Sequence, residues 1–451
     1  MIYFIFIYIK FVSTFVLYEE ISDEFEVYTR SFSTQEAQTL WFDQILDHDS
    51  NYSATFKQRY YVNTEHYKPG GPAILYIGGE KALTTGSVLG GNTFQIAKEN
   101  NGILFGLEHR YYGESQPFTE WTVENLKYLS SLNGVKDIGN FIKNVINPTT
   151  NKTFENTKWI AIGGSYPGSL SAWVRQEYPN DVLIGYASSA PVLAKEDFYE
   201  FDQTISSAFG SECANEINSI REYMDDLYDK PKEFSDLKSR FGCNDIEDNN
   251  EFLLVYADII AGIVQYNSPE ANPNIDSICF GFTNKTDIQE KLNHIINQTK
   301  TWREKKNYSP IRQWIYQCCK EYGYWQTAPK YGISTRSKWI TAEWAREKYC
   351  NADIYGEKIG PPNTNFINTR FKALNNTTPQ TIWVNGDSDP WKDLSISNPN
   401  DSTLYRPIYL INKGSHGSDL GNDKPSDSPE LTETRKKIRE DISRILNQRQ
   451  V

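Results

Sequence analysis

The sequence predicts an α/β fold, a mostly parallel sheet with helices on both faces and a large helical cap inserted into it, on three observations. Short apolar runs recur at 73–77, 103–108, 159–162, 183–188, 380–384 and 406–411. Several end at Gly or a polar turn residue, as strands buried on both faces do. Helix-length segments separate most of them, the alternation that builds parallel sheets. One separation is much longer than the rest: an excursion from about 192 to 375 lies between the fourth and fifth runs and carries every cysteine of the chain.

The elements follow in chain order. Met1 to Leu17 is apolar and aromatic, broken by Lys10, with acidic residues beginning at Glu19. This stretch (1–17) is short for a membrane span and reads as a secretory leader, the alternative being an uncleaved anchor. The core occupies 36–191 and resumes at 376–451. The excursion, 192–375, has apolar residues at helical spacing over 251–264 and 287–296, and is read as a cap stapled by disulfides. An acidic Ser/Asp/Pro-rich stretch at 418–429 precedes a last charged helix, 431–446, expected to pack on the sheet.

Length and composition narrow the function classes. The chain has 451 residues, 39% hydrophobic and 14% aromatic, enough to bury a large core. Its net charge of -12 argues against a nucleic-acid partner, because neutralising phosphates takes clustered Lys and Arg. Asn-x-Ser/Thr acceptors, among them Asn151, Asn284, Asn307 and Asn400, suit a glycosylated surface. The 6 cysteines, confined between Cys213 and Cys350, fit local disulfides in an oxidising compartment. Together these place the chain in the secretory pathway, lysosomal or extracellular, with no lasting membrane attachment once the leader is removed. No Cys-x-x-Cys pair accompanies histidines, so no metal or other cofactor is expected. The expected partner is a peptide substrate, and a homodimer is the one assembly this reading allows for.

The third run continues as Trp159-Ile-Ala-Ile-Gly-Gly-Ser165-Tyr-Pro-Gly168, a strand entering a tight small-residue turn and then a helix. α/β-hydrolases expose a nucleophilic serine in this way, and Ser165 is the candidate. Pro167 fits a first helical turn, where its missing N–H would have had no partner. A serine needs a base, and the base needs a carboxylate to fix its tautomer. In this fold the chain order is Ser, acid, His, which selects His416 among the 5 histidines. The acid comes after the strand that follows the cap, in Asn385-Gly-Asp-Ser-Asp389-Pro-Trp391. Asp389 is preferred, with Asp387 the runner-up. Oxyanion donors are expected from the backbone of Tyr166 and from Gly79 or its neighbour in the turn Gly78-Gly79-Glu80.

These residues sit in longer blocks: Gln44-Ile-Leu-Asp-His48, Tyr76-Ile-Gly-Gly-Glu80, Glu108-His-Arg-Tyr-Tyr-Gly-Glu-Ser115, Gly163-Gly-Ser-Tyr-Pro-Gly168, Trp314-Ile-Tyr-Gln-Cys-Cys319 and Gly414-Ser-His416. From about residue 40 to 420 the chain resembles the prolyl-directed serine exopeptidases, which include lysosomal Pro-X carboxypeptidase, lysosomal prolyl dipeptidyl aminopeptidase and thymus-specific serine protease. Gly168-Ser-Leu-Ser-Ala-Trp173 looks closest to the thymus-specific branch. The resemblance implies Ser165 as nucleophile, Asp389 as orienting acid and His416 as base, beneath a helical lid that restricts access to chain ends. It implies cleavage beside proline, with Trp391 walling a proline-sized pocket. It also suggests the pairings Cys213–Cys279, Cys243–Cys319 and Cys318–Cys350. Glu80 is a candidate to hold an amino terminus, as an arginine from the cap is for a carboxylate. Pro167, Ser169 and Lys81 depart from the family pattern and bear on the subsites. The block around Glu108 and Arg110 is read as structural, its charged pair satisfied near the sheet edge. The rival readings are an esterase or lipase on the same fold and a non-catalytic secreted peptide-binding protein.

Overall fold

Eight strands form one sheet in the computed structural model, which describes residues 33–34, 36–51, 54–300 and 312–448. The expected leader, 1–17, and Asn307 lie outside the described residues. The strands are β1 (Gln38–Ile45), β2 (Thr55–Asn63), β3 (Ala73–Ile77), β4 (Ile103–Leu107), β5 (Trp159–Gly164), β6 (Val182–Ser188), β7 (Thr381–Gly386) and β8 (Ile408–Ile411). Their order is β1-β2-β4-β3-β5-β6-β7-β8. The pairs β1/β2 and β2/β4 are antiparallel, and the other five are parallel. This is the expected α/β-hydrolase sheet, and the six strands read from apolar runs are all present within a residue or two.

β1 and β2 were not among the predicted strands, and the reason lies in their inward positions. Gln44 and Gln58 are buried, with Gln44 Nε2 donating to Gln58 Oε1 (2.8 Å) and Gln58 Nε2 to the Glu108 carbonyl (2.7 Å). A buried amide that finds its partners costs little, but it breaks the apolar pattern by which strands are recognised.

The central strands are apolar on both sides. Trp159 and Ala161 of β5 point into one cluster, while Ile160 and Ile162 point into the other, the period-2 alternation of a strand. The first cluster is roofed by α2 (Ser131–Asn144), through Val135, Ile138, Phe141 and Ile142, and by α3 (Tyr166–Glu177), through Leu170, Trp173 and Val174. The second is closed by α1 (Gly91–Glu99), through Phe94 and Ile96, and α8 (Pro429–Asn447), through Ile438, Ile442 and Ile445. Full burial of each such side chain contributes about 1.5–3 kcal/mol.

Between β6 and β7 the chain is mainly helical. It includes α4 (Glu200–Phe209), α5 (Ser211–Leu227), α6 (Asn249–Gln265) and α7 (Arg312–Gln317), the last continuing into a π turn at Cys318–Tyr322. Asp248 caps α6, accepting from the N–H groups of Asn250 and Glu251. Nearly every residue of α6 is buried, so it runs through the interior of this segment rather than over its surface. No helix among the described residues is long and apolar enough to cross a membrane.

Two disulfides staple the helical segment. Cys213–Cys279 is as expected, but Cys319 pairs with Cys350, replacing the suggested Cys243–Cys319 and Cys318–Cys350. The correction follows from direction: Cys318 and Cys319 are consecutive on one helical turn and so point different ways. Cys319 has its Cα 5.7 Å from that of Cys350, within reach of a disulfide. Cys318 is buried near Glu80 and Glu321, and burial first, then these carboxylates, push its thiol pKa well up. Cys243 is buried in a turn, its Sγ donating to the Phe241 carbonyl (3.5 Å). Non-reducing peptide mapping is expected to give two cross-linked species, 213–279 and 319–350; a Cys243–Cys319 peptide would refute the arrangement.

Glu321 ties this segment to the core. Its carboxylate accepts the Ser131 backbone N–H (3.1 Å to each oxygen) and the Ser131 hydroxyl (2.6 Å) at the start of α2, where a helix favours negative charge. Burial nevertheless dominates and pushes the Glu321 pKa up to about 7 from 4.5. The folded chain therefore holds this proton more tightly than the unfolded one, so the contribution to stability is largest below about 4.5 and falls as pH climbs through about 7. Thermal melts are expected to show a wild-type advantage over Glu321→Gln that shrinks between pH 5 and pH 8. A difference that grows with pH would contradict the assignment.

Candidate active site

The sheet brings Ser165, Asp389 and His416 to one end. Ser165 follows β5, Asp389 follows β7 and His416 follows β8, all at the carboxyl ends of parallel strands, where open α/β sheets bind ligands. Ser165 has φ 62° and ψ -134°, a strained conformation for a residue with a side chain. The turn tolerates it only because its flanks are bare. A Cβ on Gly163 would lie 2.2 Å from the Pro167 carbonyl oxygen, and one on Gly168 2.6 Å from that of Ser188. Pro167 sits in the first turn of α3, as its chemistry requires.

The imidazole of His416 is held at one nitrogen and open at the other. Nδ1 lies 2.9 Å from both Asp389 oxygens, and a carboxylate only accepts, so Nδ1 carries the proton. That tautomer leaves Nε2 as the basic nitrogen. Nε2 is shielded from solvent and has no hydrogen-bond partner. Asp389 is fully buried, and its Oδ1 also accepts the Trp391 backbone N–H (2.9 Å). The runner-up, Asp387, faces elsewhere: its Oδ1 accepts the Lys413 backbone N–H (2.6 Å).

The last residue of β6 and the one that follows it support both loops. The Ser188 carbonyl accepts the Ser165 N–H (2.9 Å), and the Ser189 hydroxyl accepts the Gly417 N–H (2.9 Å). Asp419 closes the His416 loop onto β6, taking Tyr186 OH (2.5 Å) and Ser188 Oγ (2.7 Å). Burial raises the Asp419 pKa against these hydrogen bonds.

Ser165 and His416 line one cleft of about 950 Å³, measured out to its open mouth. Gly79, Glu80, Lys81, Leu83, Pro167 and Tyr266 line it too. Gly79 packs on the helix start: a Cβ there would come 2.4 Å from Pro167 Cγ. The neighbouring Gly78 N–H is already given to the Leu107 carbonyl (2.8 Å), which leaves Gly79 as the residue of that pair to consider for an oxyanion. Glu80 is buried at the cleft wall.

Tyr166 turns its ring away from the cleft into an aromatic group with Trp314 and Tyr322. Its hydroxyl lies 3.0 Å from His109 Nε2 and accepts from Gln317 Nε2 (3.1 Å). His109 Nδ1 donates to the Arg110 carbonyl (2.8 Å), and burial lowers its pKa to about 4, so its neutral Nε2 accepts the Tyr166 proton. Trp391 is not among the residues lining the cleft. It packs behind Asp389 against Phe198, Phe201 and Tyr324.

The Glu108–Arg110 block is structural but not as one pair. Glu108 accepts from Arg59, Ser115 Oγ (2.7 Å) and the backbone N–H groups of Leu83 and Glu114 (3.0 Å each). Arg110 instead grips Asp137 (Nε to Oδ2, 2.6 Å), which also meets His48 Nε2 at 2.7 Å. His109, Gln317, Ser189 and Asp419 have no sequence signal that marks their contacts, although His109 and Gln317 stand inside the blocks Glu108–Ser115 and Trp314–Cys319.

The model of the serine carboxypeptidase S28 family matches residues 44–303 and 282–438 of this chain. The Arabidopsis thaliana protein named "Probable serine protease EDA2" is 32% identical over 412 residues, covering 84% of this chain and 80% of its own. The thymus-specific serine protease of Mus musculus is 29% identical over 447 residues, covering 89% and 86%. Serine protease vicPb of Bipolaris victoriae is 27% identical over 449 residues, covering 84% and 83%.

Proposed function

This chain belongs to the serine carboxypeptidase S28 family of serine proteases, and from that premise we propose that it is an exopeptidase acting through Ser165, His416 and Asp389. The observation that carries the proposal is the imidazole of His416. Its Nδ1 is committed to Asp389, while its Nε2 is unpaired in the cleft wall shared with the strained Ser165.

His416 Nε2 takes the Ser165 hydroxyl proton as Oγ attacks the scissile carbonyl carbon. The negative charge that forms on the carbonyl oxygen is received by the backbone N–H groups of Tyr166 and Gly79. Asp389 holds the imidazole in its tautomer and stabilises the imidazolium. When the C–N bond breaks, Nε2–H gives its proton to the leaving amine and an ester remains on Ser165. Water then attacks the ester carbonyl carbon, giving its proton to Nε2, and Nε2–H returns a proton to Ser165 Oγ as the C–O bond breaks and the acid leaves.

Segment 192–375 acts in this proposal as the lid that limits substrates to chain ends, with cleavage beside proline. The buried carboxylate of Glu80 favours recognition of a free amino terminus. The disulfides support a secretory protein, for which we propose an extracellular or lysosomal site.

Mass spectrometry of proline-containing peptides with free, N-blocked and C-blocked ends tests the reading. Blocking one terminus is expected to abolish cleavage while blocking the other is tolerated. Cleavage indifferent to both blocks would overturn the exopeptidase assignment, and fast short-chain ester hydrolysis beside negligible peptide hydrolysis would favour an esterase.

A further inference from the structure

α6 ends at Gln265, and this one buried residue reaches both loops that carry the acid and the base. Its backbone carbonyl accepts the His416 N–H (2.9 Å). Its Oε1 accepts Trp391 Nε1–H (3.1 Å), and its Nε2 donates to the Tyr266 hydroxyl (2.7 Å). Trp391 in turn gives its backbone N–H to Asp389 Oδ1 (2.9 Å). The Tyr266 ring stands edge-on to the His416 imidazole, centroids 6.2 Å apart. An amide bonded through both its oxygen and its nitrogen has one allowed orientation, because a flip would set NH₂ against an indole N–H. The helical segment thus delivers one rigid contact to the backbone of the base and, through Trp391, to the carboxylate of the acid.

Resting on the reading of Asp389 and His416 given above, we propose that Gln265 is a positioning residue that aligns the acid–base pair only while α6 is docked. Nothing in the reaction touches its side chain. It acts through Trp391 and through the His416 backbone, and displacements of about 1 Å at such supports cost roughly 100-fold in rate.

Gln265→Leu removes both side-chain hydrogen bonds and keeps the backbone one; Trp391→Phe removes the indole donor and part of the ring that packs on Phe198, Phe201 and Tyr324. The measurements are the rate constant for labelling by a fluorophosphonate, and kcat and KM on a cleaved peptide. Gln265→Leu is expected to lower the labelling rate constant and kcat together by roughly 10- to 100-fold with KM within about threefold. Trp391→Phe should fall similarly, and the double variant should be no more than about threefold below the weaker single one, since both break one linkage. A merely structural residue would lower the melting temperature and the labelled fraction but leave the rate constant of the folded molecules alone. Labelled wild type with an unchanged Gln265→Leu rate constant, or fully multiplicative single-variant effects, would sink this inference alone. Wild type that fails to label at Ser165 would sink the serine-peptidase mechanism and this inference with it.

Discussion

Replacing Ser165 by alanine is expected to lower kcat on peptides by about a millionfold, because the three groups act as a unit and removing the nucleophile or the base forfeits nearly all that they contribute together. The fold should survive, since alanine inherits the same positive φ and the same N–H to the Ser188 carbonyl. The two effects are therefore separable. Circular dichroism and melting should match wild type closely while turnover and fluorophosphonate labelling disappear. Turnover within tenfold of wild type would remove Ser165 from the chemistry.

Asp389→Asn should cost about 10⁴ in kcat, with the Ser165 turn left intact. The amide can still accept the Trp391 N–H, so the loop is retained. It also presents NH₂ to His416 Nδ1, which would have to give up its proton and transfer it to Nε2, the nitrogen needed as base. Asp387→Asn provides the contrast. Asp387 holds the Lys413 N–H and makes no bond to the imidazole, and an asparagine oxygen can accept the same hydrogen. Its kcat should remain within about threefold of wild type, a margin far smaller than the loss from an inverted tautomer. Equal losses in the two variants would mean that the Asp389–His416 contact is not what orients the base.

The sheet's centre and the three candidate residues were legible because their signals are local. A strand buried on both faces is a continuous apolar run, and the strained turn at Ser165 demands small residues within three positions. Strand order then selected His416 and favoured Asp389 without any knowledge of distance. What stayed hidden depends on contacts between remote segments. β1 and β2 carry inward glutamines that look like surface residues until Gln44 meets Gln58. Gln317 reaches Tyr166 across 151 residues, and Ser189 reaches Gly417 across 228. The choice between Cys243 and Cys350 as partner of Cys319 was of the same kind. Neighbouring cysteines look equivalent in a sequence, and only the direction of each side chain on the π turn separates them.

Ser188 is the last residue of β6 and Ser189, at φ 47°, is the bend that follows it, yet one carries the turn of the nucleophile and the other the loop of the base. A single peptide bond joins the two, so sliding or tilting the end of β6 transports both reacting groups in company and changes their separation little. Small breathing motions of the sheet are thereby filtered out of the distance that matters for proton transfer. The site tolerates a moving floor because both its halves are bolted to the same plank.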